Sequence, residues 1–236
     1  MIRKDYIGAT AFGMKFNYIH FAPKEPCDFG VVFLHGIGER GPIDGSKLEL
    51  VLKNGYPRHA AAGFEFPFHL LVPQCASSYN QIKYFMPAYA KLWHKLRVVY
   101  VMGLSMGGFG AFDTVYYDKF RLVDGVVPIC GGMDSKLAAS FPEMPGWAFH
   151  GDADKTVPYS KSKSFVDAYN STHDTEWGYT LYPGVGHNSW EKACSVTPGQ
   201  DQLLEWLKQQ FKEAPKPVVD LETFKAKIIE AVKAVQ

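Results

Sequence analysis

The chain has 236 residues, 47% of them hydrophobic, and a formal net charge of +1 at pH 7. This length suits one large domain or two small ones, and the hydrophobic content is ample for a buried core. The near-neutral charge argues against nucleic acid or an anionic membrane surface as the partner.

The cysteines and the N-terminus indicate the compartment. Four scattered cysteines form no C-x-x-C pair: Cys27, Cys75, Cys130 and Cys194. We expect free thiols, and no histidine cluster has the spacing of a metal site. The first residues lack the apolar core of a signal peptide, which predicts a cytoplasmic protein, or a secreted or periplasmic one if a signal has been removed. No apolar stretch is long enough to span a bilayer.

The predicted elements begin with strands. Residues 1–22 alternate apolar with smaller or polar residues, which predicts an antiparallel hairpin at the edge of a sheet. A buried strand follows over 30–34. A helical stretch within 42–63 stops at Asn54-Gly55, a common C-terminal signal. The next strand covers 68–72 and ends at Pro73.

The second half continues the alternation. A helix begins at Pro87, a strand covers 98–102, and a helix over 109–117 places Phe109, Phe112 and Tyr116 on one face. Further strands are predicted over 125–130, 147–150 and 179–182, with helices over 160–169 and 203–211. Strands that alternate with helices predict an α/β fold with a mostly parallel sheet and helices on both faces.

The tail differs from the rest of the chain. After two prolines, an amphipathic helix is predicted with an apolar side of Leu221, Phe224, Ile228, Ile229 and Val232. We therefore divide the chain into a domain over 1–211 and a helical extension over 212–236. The extension either packs back on the domain or contacts a partner subunit, so the sequence leaves a homodimer open.

Residues 103–107, which read G-L-S-M-G, lie between a predicted strand and a predicted helix. This is the G-x-S-x-G nucleophile elbow in the context that the motif needs. The glycines remove side chains that would collide with the adjacent strand and helix, and the helix N-terminus favours developing negative charge. The sequence predicts Ser105 as a nucleophile.

The strand over 30–34 runs into His35-Gly36-Ile37-Gly38. A His-Gly pair at the end of a strand, upstream of a nucleophile, is typical of an oxyanion loop. Its glycines let the backbone turn so that an N–H group faces the site. The alternative is an ordinary glycine-rich loop, and the elbow downstream favours the first interpretation.

A serine nucleophile needs a base, and the base needs an acid to orient it. Three of the eight histidines stand at predicted strand ends beside glycine: His35, His150 and His187. His187 follows a glycine-rich turn and comes last in the order Ser, Asp, His, so we predict it as the base. Asp152 and Asp154 both suit the acid, and the residues alone leave the choice open.

Five segments together resemble a known superfamily: residues 34–41 (LHGIGERG), 103–108 (GLSMGG), 128–132 (PICGG), 150–158 (HGDADKTVP) and 186–190 (GHNSW). They resemble the α/β-hydrolases, and within them the phospholipase/carboxylesterase and predicted-peptidase branch, which borders feruloyl esterases and polyhydroxyalkanoate depolymerases. The resemblance implies the α/β-hydrolase fold, with residues 1–211 as the catalytic domain.

The resemblance also implies roles for individual residues. The aspartate three residues before the Val-Pro pair is the triad acid in such loops, which implies Asp154. The backbone N–H groups of Ile37 and Met106 are implied as the oxyanion hole. Trp190 either walls the substrate pocket or packs in the core. The candidate substrate-binding residues are His35, Gly36 and Trp190.

These residues predict a serine hydrolase that cleaves carboxylic esters and needs no metal or cofactor. The short segment between Gly132 and Trp147 leaves no room for a large lid, which indicates short-chain or bulky soluble esters. The same triad serves thioesterases, peptidases and carbohydrate or feruloyl esterases. For the carbohydrate alternative, four aromatic residues are candidates to stack on a sugar or phenolic ring: Tyr84, Phe85, Trp93 and Trp190. A non-catalytic binding protein on the same scaffold is the remaining alternative.

Overall fold

The computed structural model describes residues 1–11, 14–77, 86–87, 89–91, 94–118 and 121–214. The predicted tail helix between Leu221 and Val232 lies outside these residues, as do Tyr84, Phe85 and Trp93. Residues 86–87 and 89–91 are helical, in the region where the sequence predicts a helix.

In the described residues, eight strands form one sheet. They are β1 (Ile2–Ala11), β2 (Met14–Ala22), β3 (Phe29–Leu34), β4 (His69–Gln74), β5 (Val98–Leu104), β6 (Gly125–Ile129), β7 (Trp147–Gly151) and β8 (Gly178–Tyr182). Their order across the sheet is β1-β2-β4-β3-β5-β6-β7-β8. The pairs β1–β2 and β2–β4 are antiparallel and the remaining pairs are parallel. The hairpin of β1 and β2 is the antiparallel edge predicted for residues 1–22.

Helices cover the sheet. They are α1 (Gly55–Ala61), α2 (Met106–Tyr116), α3 (Ser160–Asn170), α4 (Trp190–Ala193) and α5 (Gln202–Glu213). In the part of the chain that the structure describes, three 3-10 helices lie in the connections: Ile37–Glu39, Leu48–Leu52 and Ser135–Ser140. Helix α5 extends two residues past the predicted domain boundary at residue 211.

The hydrophobic core lies in two layers because strand side chains alternate between the faces of the sheet. On β5, Val99 and Val101 face the layer that holds Phe112 of α2 and Phe165 of α3. Other β5 side chains face the opposite layer, which includes Leu207 of α5. The central strands are buried on both faces, which explains their continuous apolar sequence.

The sequence predicts that a helical stretch stops at Asn54-Gly55, and a helical segment does end just before this pair, although Gly55 itself opens the next helix. The preceding segment is a 3-10 helix that ends at Leu52, and α1 begins at Gly55. Gly55 has a φ of +61°, and a Cβ there would overlap the ring of Phe33. The glycine therefore serves a close approach at the start of a helix rather than the end of one.

Proline was predicted to end β4 at Pro73, but the strand runs on to Gln74. Pro73 lies opposite Tyr18 of β2, beyond the point where β4 pairs with β3. Pro128 likewise lies within β6, opposite Gly103, while β6 pairs with β7 only at Ile129. Each proline stands where one side of its strand is unpaired, so the missing N–H breaks no ladder bond there.

The apolar face predicted for α2 is wrong at one position. Phe112 is fully buried, but Phe109 is 37% exposed. The positions of α2 that approach the sheet most closely are glycines, because the start of this helix touches the backbone of the neighbouring strands. Phe109 is therefore left at the surface, one turn after Ser105.

Candidate active site

Ser105 stands between the end of β5 and the start of α2, with φ 55° and ψ −117°. A non-glycine residue with positive φ is strained, and such strain persists only where the surrounding structure holds it. Here Ser105 N–H donates to the Ile129 carbonyl over 2.9 Å. A Cβ at Gly103 would overlap the Gly107 carbonyl, and one at Gly107 would overlap the Leu34 carbonyl. The flanking glycines thus allow the sharp turn that presents the serine.

The three residues predicted for the triad lie together beyond the carboxyl ends of their strands. His187 Nε2 is 2.8 Å from Ser105 Oγ, and His187 Nδ1 is 2.7 Å from Asp154 Oδ2. The Asp154 side chain is fully buried, whereas that of His187 is 21% exposed. Since the carboxylate can only accept, Nδ1 carries the proton and Nε2 is free to accept the serine proton. This geometry can activate a hydroxyl group.

Asp154 is fixed by its own loop. Its Oδ1 accepts N–H groups from Thr156 over 2.8 Å and from Val157 over 2.9 Å. Burial favours a higher pKa for Asp154, but the hydrogen bonds from His187 and from these two N–H groups outweigh it and hold the pKa below its usual value. The aspartate is therefore an anion beside the imidazole.

Asp152 occupies a different place, although the residues alone left it open as the acid. Its side chain is exposed, and Oδ1 accepts the N–H of Gly184 over 2.7 Å. It therefore holds the turn that precedes His187. This is the loop-stabilising contact expected for an aspartate that is not the acid.

The loop after β3 faces the nucleophile. A Cβ built on Gly36 would lie 3.7 Å from Ser105 Cβ. Within the described residues, no hydrogen bond uses the backbone N–H of Ile37 or of Met106. Met106 opens α2, where N–H groups have no partner inside the helix. Both groups are thus available as donors beside Ser105.

His35 is fully buried beneath this loop. Cys75 N–H donates to its Nε2 over 3.1 Å, so Nδ1 carries the proton and donates to the Gly36 carbonyl over 2.6 Å. Burial lowers the pKa of His35 to about 4. The buried His35 ring therefore shapes the loop. This differs from the contact with substrate that the sequence predicts for His35.

Glu39 was not predicted as a site residue. It is 3% exposed, and its Oε2 accepts the Gly36 N–H over 2.6 Å while Oε1 accepts from Asn54 Nδ2 over 3.0 Å. Burial raises the pKa of this carboxyl group. The only signal in the sequence is a glutamate three residues after the turn, the spacing at which a carboxylate reaches back to a backbone N–H.

Trp190 is half-buried and packs on the core, while its role as a wall of the substrate pocket stays a prediction. Its ring meets the His187 ring edge-on, with 5.5 Å between the centroids, and it packs against the core layer that contains Leu207. Cys130 lies buried at the end of β6, and burial raises the pKa of its thiol to about 12. It is therefore a thiol that packs rather than a nucleophile.

The described surroundings of Ser105 include a short connection between strands and two exposed apolar residues. The segment between β6 and β7 holds one 3-10 helix of six residues. Ile37 is 58% exposed and Phe109 is 37% exposed, so apolar side chains stand at the rim of the site. Within the described part of the chain, no group of His, Cys, Asp or Glu could hold a metal ion, and no helix has the length and hydropathy to cross a membrane.

No protein-family model and no curated protein matches the sequence. The fold does match solved structures. A thermostable esterase aligns with a TM-score of 0.64 and 25% identity over 88% of this chain, which spans 62% of the length of that esterase. A truncated carbohydrate esterase from gut microbiota aligns with a TM-score of 0.63 and 14% identity over 90% of this chain and 97% of its own.

A further esterase, PE8, aligns with a TM-score of 0.56 and 16% identity over 83% of this chain and 99% of its own. The chain therefore has the fold of the α/β-hydrolases, and the fold class predicted from the sequence is confirmed. The phospholipase/carboxylesterase branch stays a prediction.

Proposed function

We propose that this chain is a serine hydrolase that cleaves carboxylic esters through an acyl-enzyme. The observation that carries the proposal is the unbroken line of hydrogen bonds from Ser105 through His187 to Asp154. The likeness to a thermostable esterase at 25% identity supports the same chemistry.

In the first half of the reaction, Ser105 Oγ attacks the acyl carbon while His187 Nε2 takes the hydroxyl proton. Asp154 stabilises the imidazolium that forms. The N–H groups of Ile37 and Met106 donate to the oxygen on which negative charge develops. His187 then gives its proton to the leaving alcohol, and the acyl group stays on the serine.

In the second half, a water molecule loses a proton to His187 and attacks the acyl carbon. The acid is released and the proton returns to Ser105. Three side chains, two backbone N–H groups and water supply every group in this scheme. We propose residues 1–211 as the catalytic domain, with the segment after α5 as an extension.

The test compares p-nitrophenyl acetate, butyrate and octanoate and a feruloyl ester as substrates. We expect Ser105→Ala to lower kcat by about 10⁶-fold and Asp154→Asn by about 10⁴-fold. Asp152→Asn is the matched control and keeps kcat within about threefold, because the asparagine amide oxygen can still accept the Gly184 N–H while the negative charge is lost. We expect the acetate and butyrate esters to give a higher kcat/KM than octanoate, because the short segment between Gly132 and Trp147 leaves no room for a large lid that would enclose a long acyl chain.

A fluorophosphonate probe separates the outcomes. Labelling of wild type but not of Ser105→Ala, with no turnover of any ester, indicates a thioesterase or peptidase with the same triad. A folded wild type that neither labels nor turns over esters overturns the proposal in favour of a binding protein.

A further inference from the structure

A second histidine lies against the triad acid. His150, on β7, is fully buried and takes no part in the steps above. Its Nε2 is 3.2 Å from Asp154 Oδ2, the same oxygen that faces His187. A buried histidine is costly to charge, and its ring nitrogens need hydrogen-bond partners. The partners of His150 therefore indicate what it does at this position.

The contacts of His150 fix its tautomer. Nε2 lies 3.0 Å from the Val157 carbonyl as well as 3.2 Å from Asp154 Oδ2. Neither oxygen carries a proton, so Nε2 must carry one. Nδ1 lies 2.7 Å from Ser162 Oγ, a hydroxyl that can donate to it. Burial lowers the pKa of His150, which favours this neutral form.

The Nε2–H group of His150 holds the loop that carries Asp154. Val157 donates its N–H to Asp154 Oδ1 and accepts from His150 Nε2 with its carbonyl. One residue is thus held on both sides, by the aspartate and by His150. The loop that positions Asp154 is therefore tied directly to β7, a strand buried in the sheet.

The support for His150 continues outward. Ser162, on α3, is buried, and its Oγ is 3.3 Å from the hydroxyl of Tyr179 on β8. The Ser162 hydroxyl also lies 3.1 Å from the Tyr159 carbonyl, but it has one proton, and the unprotonated Nδ1 of His150 is the nearer acceptor at 2.7 Å. Tyr179 can then donate to Ser162, which donates to Nδ1 of His150. Hydrogen bonds in such a chain strengthen one another. Strands β7 and β8 and helix α3 therefore converge on the orientation of one imidazole.

We propose that His150 is a positioning residue for Asp154, holding the carboxylate so that Oδ2 faces His187, and that Ser162 sets the tautomer which allows this. The inference rests on the proposed function, because a triad acid is what gives this position its importance. His150 does not touch substrate, so it acts on kcat through Asp154 and leaves KM nearly unchanged.

Two substitutions distinguish the roles of the two ring nitrogens of His150. The amide nitrogen of a glutamine can occupy the place of Nε2, whereas that of an asparagine lies near Nδ1. We expect His150→Asn to lower kcat and the rate of fluorophosphonate labelling by about 10²-fold, because misplacement of a catalytic group is costly. We expect His150→Gln to retain both within about threefold. Ser162→Ala keeps the ring and lowers both by about tenfold.

The control is His20→Gln, which changes a buried histidine on β2, far across the sheet from β7. It keeps the labelling rate of wild type. A role in stability alone would lower Tm in both His150 variants without the difference between Asn and Gln. If His150→Asn does not fold, Ser162→Ala decides, and an unchanged labelling rate in it overturns the proposal.

The two proposals fail in different ways. A folded wild type that is not labelled overturns the proposed function and the role of His150 with it. A labelled wild type with a folded His150→Asn variant labelled at the same rate overturns only the role of His150.

Discussion

At the scale of single residues, Glu39 is the clearest case of a buried charge that serves the site. Its two oxygens accept from Gly36 N–H and from Asn54, so neither donor is left unpaired. Gly36 precedes Ile37, whose N–H is a proposed oxyanion donor. The Glu39 carboxylate therefore fixes the backbone from which that donor projects, rather than contacting substrate.

Replacement of Glu39 is expected to affect the transition state more than the ground state. Glu39→Ala leaves Gly36 N–H and Asn54 without acceptors, a cost of about 1–3 kcal/mol in the free energy of unfolding for each donor. With the oxyanion donor displaced, kcat falls by about 10²-fold and KM changes little. Glu39→Gln keeps an acceptor and loses less than tenfold.

The measurement is kcat, KM and the inhibition constant of a trifluoromethyl ketone, which forms a tetrahedral oxyanion on the serine. Weaker inhibition by the ketone in Glu39→Ala is the expected result. If the ketone binds that variant as tightly as wild type, Glu39 has no part in the oxyanion site.

The sequence was enough to predict Ser105 and His187 as site residues that lie together, because each stands in a local pattern of glycines at a strand end. Their catalytic roles stay a prediction. Asp154 needed the likeness to known acid loops, since Asp152 fits the same local pattern. Glu39 and His150 were missed because their roles depend on burial and on partners distant in the chain. His150, for example, depends on Ser162 and Val157.

At the scale of elements, the contact between α2 and β3 sets the position of the nucleophile. The helix begins directly after Ser105, and Gly107 lies against the carbonyl groups of Leu34 and His35. Both neighbours are backbone, which cannot rotate away as a side chain can. The distance between the elbow and the oxyanion loop therefore depends on the absence of a side chain at residue 107.

Gly107→Ala is expected to force α2 away from β3. We expect a loss of about 1–3 kcal/mol in the free energy of unfolding, as for other overpacked interiors, and a large drop in fluorophosphonate labelling. Gly186→Ala is the matched control for stability, because nothing lies within 4 Å of a Cβ at that residue. Urea unfolding measures both variants. Equal stability of Gly107→Ala and Gly186→Ala contradicts the argument.

The elements were predicted best where their sequence is apolar and continuous, as in β3 and β5, since strands buried on both faces have few alternatives. Their ends were predicted less well. Pro73 stops no strand because β4 has already parted from β3, and the pattern around a proline carries no information on which neighbour is paired. Gly55 stands at the start of a helix, and a Cβ there would overlap the Phe33 ring, a neighbour distant in the chain.

At the scale of the whole molecule, the fold buries many of its histidines in the neutral form. Burial lowers the pKa of His20 to about 3 and that of His94 to about 4. The histidines with lowered pKa stand on strands, loops and helix α1 across the sheet: His20, His35, His59, His69, His94 and His150. Their effects on stability have the same sign.

The sign follows from proton binding. In the unfolded chain a histidine has a pKa of about 6.5, so below that pH the unfolded state binds protons that the folded state does not. These histidines therefore contribute their whole stabilisation above a pH of about 6.5. The free energy of unfolding falls as the pH decreases toward the folded-state pKa values, about 3 for His20 and about 4 for His94. Acid therefore destabilises this fold through its buried histidines from about pH 6.5 downward.

We expect Tm to fall by about 10 °C between pH 7 and pH 5, since the most buried of these histidines, His20 and His35, each contribute up to about 1.4 kcal/mol per pH unit and the more exposed ones contribute less because solvent screens them. Thermal unfolding followed by circular dichroism at half-unit pH steps measures the slope. His20→Gln removes one of these groups, so its Tm falls less steeply with acid than that of wild type. A Tm that stays constant from pH 7 to pH 5, or a slope unchanged in His20→Gln, contradicts the assignment of these histidines as neutral groups in the folded state.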